Sequence, residues 1–227
     1  MLLTWFGHSN FMLQEDGLTV LIDPFFEGNG TAPCGWQALG KVDAVLVTHD
    51  HGDHVGQAAD ICQATGARLV CLFDTVPKMK GLGVPGEQIL GMNIGGTVPL
   101  PGGLRVKMVQ AVHSSATGSP AGYILTFPGG YCAYHSGDTA LFSDMKLLRR
   151  FFDIDLAMLS MGGWFTMDAV EAAVACSFLG CRNVAPMHWG TFPVLAPDTD
   201  AFAVALKEYA PDTRMVALTP GTPAEVA

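Results

Sequence analysis

The chain has 227 residues, of which 49% are hydrophobic and 15% are charged, and its formal net charge is −9. Because double-stranded nucleic acid is bound by a basic face and this chain has no cluster of Lys or Arg, no nucleic-acid partner is expected. No segment approaches 18 consecutive apolar residues and no basic residue precedes Lys41, so neither a membrane span nor a secretory signal is predicted.

The length and the cysteine pattern indicate the class of protein. A chain of this size suits one domain, and because no repeat or linker divides it, residues 1–227 are predicted to form a single domain. None of the six cysteines belongs to a CxxC pair, which is typical of buried free thiols in a cytoplasmic protein. The low charged fraction indicates either much buried strand or a subunit interface, so a homo-oligomer is left open.

The first third of the chain is predicted to contain mainly strands and turns. Strands are predicted over residues 2–6, 11–13, 18–22, 42–48 and 68–73. Asp16-Gly17 is a hairpin signal, whereas residues 25–40 are rich in glycine and turn formers and are predicted to be a loop. A helix is predicted over residues 55–65, with Asp53 capping its N-terminus and Gly66 ending it.

The rest of the chain continues with strand pairs and strand–helix units. Residues 98–112 are predicted to form two strands that turn at Pro101-Gly102-Gly103. Further strands are predicted over residues 122–127, 131–135, 156–160, 183–187 and 214–218, and helices over residues 168–179 and 201–209. Asp168 and Glu171 have the spacing of a capping box at the first of these helices. Strand pairs mixed with strand–helix units predict two sheets with helices packed outside them.

Residues 49–54 read HDHGDH and hold three of the seven histidines of the chain. Other histidines and aspartates lie at or just beyond the C-terminal ends of predicted strands, where layered α/β folds build their sites. Imidazoles and carboxylates at this density suit a divalent transition metal. The predicted ligands are His49, His51, Asp53, His54, His113, Asp138 and His188.

Seven ligands are too many for one tetrahedral ion, so two ions that share one carboxylate are expected. His49 and His51 are two residues apart and share a face in an extended segment, whereas Asp53 and His54 lie at the start of the predicted helix. The first ion is assigned to His49, His51 and His113, the second to Asp53, His54 and His188, and Asp138 is predicted to bridge them.

Five other side chains are assigned roles outside the ligand set. His135 is interpreted as a hydrogen-bonded structural residue, because a lone histidine is more often structural than a ligand. Trp164, Trp189 and Phe192 are candidates for a substrate pocket, with core packing as the alternative. His8 lies in a Gly-His-Ser break between two apolar segments, and a neutral imidazole there could reach the pocket without binding metal. Its alternative role is a buried structural hydrogen bond.

The seven predicted ligands match, in type and order, the HxHxDH motif and the later His, Asp and His of the metallo-β-lactamase superfamily, which this chain resembles. The resemblance implies an α/β fold, α+β by some schemes, in which two mixed β-sheets form an αββα sandwich with helices on both outer faces. It also implies that Asp23, at the end of the segment LIDP, supports the motif loop through a hydrogen bond.

Six segments carry a narrower resemblance: WFGHSNF, LIDPFFEGN, VTHDHGDHVG, YHSGDT, GGWFTMD and PMHWGTFP. Together they are similar to a bacterial branch of small metal-dependent hydrolases related to the ascorbate-6-phosphate lactonase group. The resemblance covers nearly the whole chain and implies a reaction type more firmly than a substrate, because one fold hosts many functions. The same branch carries the GHS segment, which favours a role for His8 in the site as a proton donor or substrate contact.

The expected activity is hydrolysis of a small-molecule ester, lactone or amide by a hydroxide held between two divalent ions, with Asp53 orienting it and accepting its proton. Zn²⁺ is the default ion, with Mn²⁺, Fe²⁺ or Ni²⁺ as alternatives. A phosphodiester or phospholipid substrate is the main alternative, although the motif loops lack the Lys or Arg that usually clamp phosphate. A di-iron redox protein would typically have Glu in place of His51, and a non-catalytic metal-binding module would be expected to have lost ligands.

Overall fold

The computed structural model describes residues 1–227 and contains two seven-stranded sheets. The first sheet holds β1 (Leu2–Trp5), β2 (Phe11–Glu15), β3 (Leu18–Ile22), β4 (Ala44–Leu46), β5 (Arg68–Leu72), β6 (Ile89–Met92) and β14 (Ala224–Glu225). The second sheet holds β7 (Thr97–Pro99), β8 (Arg105–Gln110), β9 (Ala121–Thr126), β10 (Cys132–His135), β11 (Leu156–Ser160), β12 (Asn183–Met187) and β13 (Arg214–Met215).

The first sheet has the order β14-β1-β2-β3-β4-β5-β6. Strands β1, β2 and β3 form an antiparallel meander, and β3 to β6 run parallel. The predicted hairpin turn is confirmed, since Asp16 and Gly17 have φ of 53° and 75° and join Glu15 to its partner Leu18. Positive φ at both central residues matches the twist of the flanking strands.

The second sheet has the order β13-β12-β11-β10-β9-β8-β7. Strands β7 to β10 are antiparallel, and β10 to β13 are parallel. Both sheets are therefore mixed. In each sheet, the parallel strands carry their C-terminal ends to one edge, where loops can meet.

Six helices cover the outer faces of the sheets. They are α1 (Gly52–Val55), α2 (Ala58–Thr65), α3 (Val76–Gly81), α4 (Met145–Leu148), α5 (Ala169–Leu179) and α6 (Asp200–Tyr209). Buried residues of α1, α2 and α3 pack on the first sheet, and those of α4, α5 and α6 pack on the second. A third group of buried side chains comes from both sheets and fills the space between them. The predicted αββα sandwich is confirmed.

The predicted helix over residues 55–65 is wrong in detail, because two helices occupy this region. Gly56 separates α1 from α2 with φ of 41°, and a Cβ on it would lie 2.2 Å from the carbonyl oxygen of Pro24. The break therefore lets the chain approach the loop after β3. The N-cap of α1 is His51, without a side-chain cap, so the predicted capping role of Asp53 is also wrong. The end at Gly66, in the left-handed region, is confirmed.

Other differences from the sequence prediction concern short elements. The helices α3 and α4 and the strands β6 and β14 were not predicted, and the strand expected over residues 214–218 ends at Met215. The capping box of Asp168 and Glu171 at α5 is confirmed. All six cysteines are free, but Cys34 is exposed, contrary to the expectation of buried thiols. None of the helices combines the length and apolar character needed to cross a bilayer.

Candidate metal centre

The residues that follow six of the strands lie at one edge of the sandwich. His8 and His49 lie three residues beyond β1 and β4, and Asp23 directly follows β3 in the same sheet. In the second sheet, His113 and Asp138 lie three residues beyond β8 and β10, and His188 directly follows β12. Because these strands run in the same direction within each sheet, their C-terminal ends meet although their sequence positions are far apart.

His49, His51 and His113 form the first group, with candidate ligand atoms within 4.8 Å of one another. The Nε2 of His49 lies 3.0 Å from the Nδ1 of His51, and the ring centroid of His113 is 5.2 Å from each of the other two rings. This is the trio that the sequence predicts for the first ion.

Thr48 determines which ring nitrogen of His49 carries the proton. Its hydroxyl donates to the Oδ2 of Asp23 at 2.7 Å, so its oxygen accepts from the Nδ1–H of His49 at 3.0 Å. The Nε2 of His49 then keeps its lone pair and faces His51. Burial, followed by the charge of His54, lowers the pKa of His49 from 6.5 to about 2, so this imidazole is neutral at physiological pH.

Asp53, His54 and His188 form the second group, and His8 lies within the same 4.8 Å cluster. The rings of His8 and His188 have centroids 4.1 Å apart, and those of His54 and His188 are 6.2 Å apart. The backbone N–H of His188 donates to the carbonyl of His8 at 3.2 Å. Both His8 and His188 have positive φ, of 54° and 60°, which is uncommon for residues other than glycine.

Asp138 lies between the two groups. Its Oδ2 is 3.0 Å from the Nε2 of His188, 3.3 Å from that of His54 and 3.7 Å from that of His113. The side chain is almost fully buried, and its Oδ1 has no hydrogen-bond partner. Burial alone would raise the pKa of Asp138, but the charges of His54 and His188 hold it well below its usual range. A carboxylate in this position can contact cations on both sides.

The contacts of His54 indicate whether the donor set fits a cation. Its Nδ1–H donates to the Oδ2 of Asp23 at 2.7 Å, so its Nε2 presents a lone pair to the carboxylate of Asp138 at 3.3 Å. Two acceptors at this distance repel each other unless a proton or a metal lies between them. Burial disfavours the charged imidazole, but Asp138 and Asp23 more than offset this and raise the pKa of His54 well above 6.5. The position therefore attracts positive charge.

The spacing of the donor atoms also fits metal ions. Bonds of about 2.1 Å to a tetrahedral ion place ligand atoms roughly 3.4 Å apart. The separations of 3.0 to 3.7 Å between His49 and His51, and around Asp138, agree with this value. The Nε2 of His54, the Oδ1 of Asp138 and the Nδ1 of His188 are buried without hydrogen-bond partners, which is costly for polar atoms.

Asp23 holds the motif loop at both ends. It is fully buried and accepts hydrogen bonds from the backbone N–H of Thr48 at 2.8 Å, from the Thr48 hydroxyl, and from the Nδ1–H of His54. Its backbone has φ of 48°, so the chain adopts a disfavoured conformation to aim this carboxylate inward. Asp23 therefore orients His54 directly, and His49 through Thr48.

His8 is buried and hydrogen-bonded on both ring nitrogens. Its Nε2 lies 3.1 Å from the Oδ2 of Asp53, and its Nδ1 lies 3.1 Å from the hydroxyl of Thr191. Burial lowers the pKa of His8, and the bond to Asp53 only partly offsets this. Burial alone would raise the pKa of Asp53, but the bond from His8 and the charge of His54 hold it well below its usual range. The pair is thus a neutral imidazole donating to a carboxylate.

The three aromatic residues predicted for the pocket lie in different environments. Trp189 stacks on Trp5 with ring centroids 5.1 Å apart and donates its Nε1–H to the carbonyl of Pro186, contacts that favour packing over a pocket role. Phe192 meets the ring of His8 edge-on at 5.4 Å and is 37% exposed. Trp164 is 79% exposed.

His135 has structural contacts. It is fully buried, its Nε2–H donates to the carbonyl of Ser9 at 3.1 Å, and its Nδ1 accepts from the N–H of Gly137. Both ring nitrogens are therefore satisfied by backbone groups. These contacts agree with the interpretation of His135 as a hydrogen-bonded structural residue.

Asp50, within the HDHGDH segment, received no role from the sequence. Its buried carboxylate accepts hydrogen bonds from the hydroxyl of Ser115 at 2.9 Å and from the N–H of Ala116 at 2.8 Å. The Nζ of Lys78 donates to its backbone carbonyl at 2.6 Å. These bonds tie the motif loop to the loop that carries His113 and to α3. In the sequence, the only indication of this role of Asp50 is that an acidic residue lies between two candidate ligands.

Comparisons with known proteins identify the family of this chain. The profile of the family described as "Beta-lactamase superfamily domain" matches residues 19–189. The matched range includes Asp23 and the seven predicted ligands, whereas His8 precedes it. A UPF0173 metal-dependent hydrolase of Nitratidesulfovibrio vulgaris is 54% identical over 222 residues, which cover 96% of this chain and 92% of that relative. A UPF0173 metal-dependent hydrolase of Lawsonia intracellularis is 45% identical and covers 98% of this chain and 97% of its own.

A solved structure is also similar to this chain. It is Igni18, described as a novel metallo hydrolase from the hyperthermophilic archaeon Ignicoccus hospitalis. The two chains superpose with a TM-score of 0.89 at 34% identity, over 98% of this chain and 97% of the other. The likeness therefore covers nearly the whole fold.

Proposed function

The chain belongs to the beta-lactamase superfamily and is a metal-dependent hydrolase, and from that premise we propose that it uses two divalent ions to cleave an ester, lactone or amide bond of a small molecule. One observation carries the proposal. Asp138 lies between two groups of donors, each of which supplies three further candidate ligands. A single ion cannot contact all seven of these donors, whereas two ions that share Asp138 can.

The proposed ligand sets follow the two groups. His49, His51 and His113 would hold the first ion, Asp53, His54 and His188 would hold the second, and Asp138 would be shared between them. Zn²⁺ is the expected ion because it suits imidazole and carboxylate ligands, and Mn²⁺, Fe²⁺ and Ni²⁺ are alternatives for the same donors. Bound ions of this kind supply Lewis acidity, which polarises the scissile bond and lowers the pKa of water.

Asp53 and His8 are the proposed proton-handling pair. The side chain of Asp53 is 27% exposed, so solvent and substrate can reach it, and its low pKa keeps it ionised. We assign Asp53 to orient the attacking water and accept its proton. His8 donates to the same carboxylate at 3.1 Å, which fixes the orientation of Asp53, and we assign His8 to supply a proton to the leaving group.

The charge distribution favours an uncharged scissile group. The loops that carry the predicted ligands contain no Lys or Arg. Lys78 donates to the carbonyl of Asp50 within the motif region, and Arg182 forms an ion pair with Asp155. Because phosphate groups are usually bound by free cationic side chains, this arrangement suits an ester, lactone or amide better than a phosphodiester.

A substrate panel tests the proposal. Protein loaded with Zn²⁺ or Mn²⁺ is assayed with lactones, thioesters, simple esters, amides, β-lactams and phosphodiesters. We expect turnover of at least one carbonyl substrate, with loss of activity in Asp138→Ala and retention in Asp212→Ala, which replaces an exposed carboxylate. Turnover of phosphodiesters alone, or equal activity in Asp138→Ala, would contradict the proposal.

A further inference from the structure

Two loops beside the candidate metal centre carry an exposed apolar surface. Trp164 is 79% exposed, Phe165 54%, Val194 50% and Phe192 37%. We call these four residues the apolar rim. Single exposed apolar residues are common on proteins, but four large ones on two adjoining loops at a catalytic edge are not explained by packing.

The loop of Trp164 and Phe165 is fastened to the site at both ends. At its start, Gly162 lies so close to His188 that a Cβ on it would meet the His188 carbonyl oxygen at 1.8 Å. At its end, the N–H of Met167 donates to the carbonyl of Thr139, the residue after Asp138, at 2.9 Å. The loop is therefore anchored at one end to His188 and at the other to the residue after Asp138.

The loop of Phe192 and Val194 begins directly after His188. Phe192 meets the ring of His8 edge-on at 5.4 Å, and the neighbouring Thr191 places its hydroxyl 3.1 Å from the Nδ1 of His8. The N–H of Ala196 donates to the carbonyl of Gly162 at 2.9 Å, which joins the two loops. Phe192 thus places one side of the apolar rim against His8, a member of the proposed pair.

The backbone holds Trp164 outward at an energetic cost. Trp164 has φ of 55° after Gly163 at 67°, and the N–H of Gly163 donates to the carbonyl of Met167 at 2.9 Å, closing a tight turn. Bulky residues rarely adopt positive φ, and such strain is concentrated at functional sites. Folding alone does not require an indole ring in this conformation and exposed to solvent.

The rim has no charges. Residues 161–167 and 189–197 contain no Asp, Glu, Lys or Arg. A charged substituent of a substrate would find no partner on these loops, whereas an alkyl or aryl group would be removed from water. We propose that the apolar rim binds the apolar alkyl or aryl group of the substrate and thereby sets specificity; this rests on the proposed hydrolysis at the same site.

Binding of straight-chain carboxylates, the products of ester hydrolysis, tests the rim without turnover. The dissociation constants of acetate, butyrate, hexanoate and octanoate are measured by calorimetry on the metal-loaded protein. We expect the constant to fall by about twofold to fourfold per added methylene, as burial of apolar surface requires. A dissociation constant that does not depend on chain length would overturn the proposal.

Variants locate the effect on the protein. Trp164→Asn, which keeps a residue that tolerates positive φ, and Phe192→Ala are each expected to reduce the acetate-to-octanoate ratio of dissociation constants by about tenfold or more. Phe151→Ala is the matched control, because Phe151 is 75% exposed, follows α4 and belongs to neither of the two loops. Trp164→Phe is expected to restore most of the ratio. If Trp164→Asn and Phe192→Ala both keep the full ratio, the rim does not bind substrate.

Two further outcomes separate this inference from its alternatives. If Trp164→Asn converts an oligomer into a monomer in size-exclusion chromatography while the chain-length dependence stays intact, the surface is an interface between copies and the proposal is overturned. If the chain-length dependence disappears in the rim variants but no ester, lactone or amide is hydrolysed, the rim is supported and the proposed reaction fails. The binding assay and the substrate panel therefore distinguish the two.

Discussion

At the scale of single residues, the clustered histidines and aspartates depend on one another for their orientation and for the positions of their protons. His54 donates from Nδ1 to Asp23 and faces Asp138 with Nε2, and His49 bonds to Thr48, which itself bonds to Asp23. Each buried polar group is tolerated because the next one orients it and fixes its proton. Removing one member should therefore disturb its neighbours beyond the loss of a single contact.

Asp23→Asn tests the support of the motif loop. The amide can keep one of the bonds from Thr48 but cannot accept from the Thr48 hydroxyl, the Thr48 N–H and His54 with the strength of a carboxylate. We expect metal affinity to fall by about 10- to 100-fold, measured by competition with a chromophoric chelator. Affinity equal to that of the native chain would show that Asp23 does not orient the ligands.

His8→Gln tests the proposed role beside Asp53. Because His8 is not among the predicted metal ligands, we expect metal content and melting temperature to stay near those of the native chain. Activity on the best substrate of the panel should show a kcat lower by about 10²-fold or more, with a smaller change in KM. Intact kcat together with reduced stability would make His8 a structural residue.

At the scale of elements, the sequence predicted the long strands, α5 and α6, and it predicted which residues meet at one edge. Hydrophobic runs and turn signals carry that information locally. Two-residue β14 is too short for any periodicity, and the break at Gly56 depends on the approach of Pro24, which lies in another segment. Asp53 was predicted as a helix cap because the local sequence gives no sign of its hydrogen bond to His8, which lies 45 positions away.

The candidate site was likewise predictable only in part: the sequence identified its candidate ligands but not the contacts between distant segments. The seven predicted ligands could be selected from residue type and strand ends, and the structure brings their side chains together, although their binding of metal stays a prediction. The bonds of Asp50 to Ser115 and Ala116 join loops that are 65 or more positions apart. The stacking of Trp189 on Trp5 likewise depends on the packed fold, so the sequence alone left its role open.

Gly56→Ala tests the junction between α1 and α2. Its φ of 41° and the 2.2 Å approach to Pro24 leave no room for a methyl group. We expect the free energy of unfolding to fall by about 2–3 kcal/mol in urea denaturation, the size of backbone strain plus displacement of the Asp23 loop. Gly81→Ala is the control, since its Cβ would meet no atom within 4 Å. Equal stability of the two variants would contradict the structural role of Gly56.

At the scale of the whole molecule, the two sheets share one core, and β14 pairs with β1 so that both ends of the chain lie in the same sheet. This arrangement favours cooperative unfolding of residues 1–227 as a single domain, which stays a prediction. The candidate metal centre spans the open edge of both sheets. Its histidines should therefore link the stability of the entire metal-free protein to pH.

The metal-free protein should lose stability as pH falls from 7 to 5. The pKa values of His8, His49, His113 and His135 are lowered, chiefly by burial, and that of His49 is about 2. In this range the unfolded chain binds protons near pH 6.5 and the folded chain does not, so unfolding is favoured. The raised pKa of His54 adds stability that is already complete below pH 6.5, and Asp138 loses its contribution only below about pH 3.8.

Melting temperatures of chelator-treated protein across this range check the prediction. His49→Asn removes one of the depressed groups and should flatten the dependence. A melting temperature that rises toward pH 5, or a slope unchanged in His49→Asn, would mean that the buried histidines are protonated in the folded state. The measurement requires no substrate and no bound metal.

The shared position of Asp138 is the central claim, and elemental analysis of metal-saturated protein tests it most directly. We predict two ions per chain in the native protein, and a marked loss of at least one ion together with loss of activity in Asp138→Ala, with Asp212→Ala retaining both ions. No more than one ion per native chain after reconstitution with zinc or manganese, or both ions and near-normal turnover in Asp138→Ala, would contradict the account.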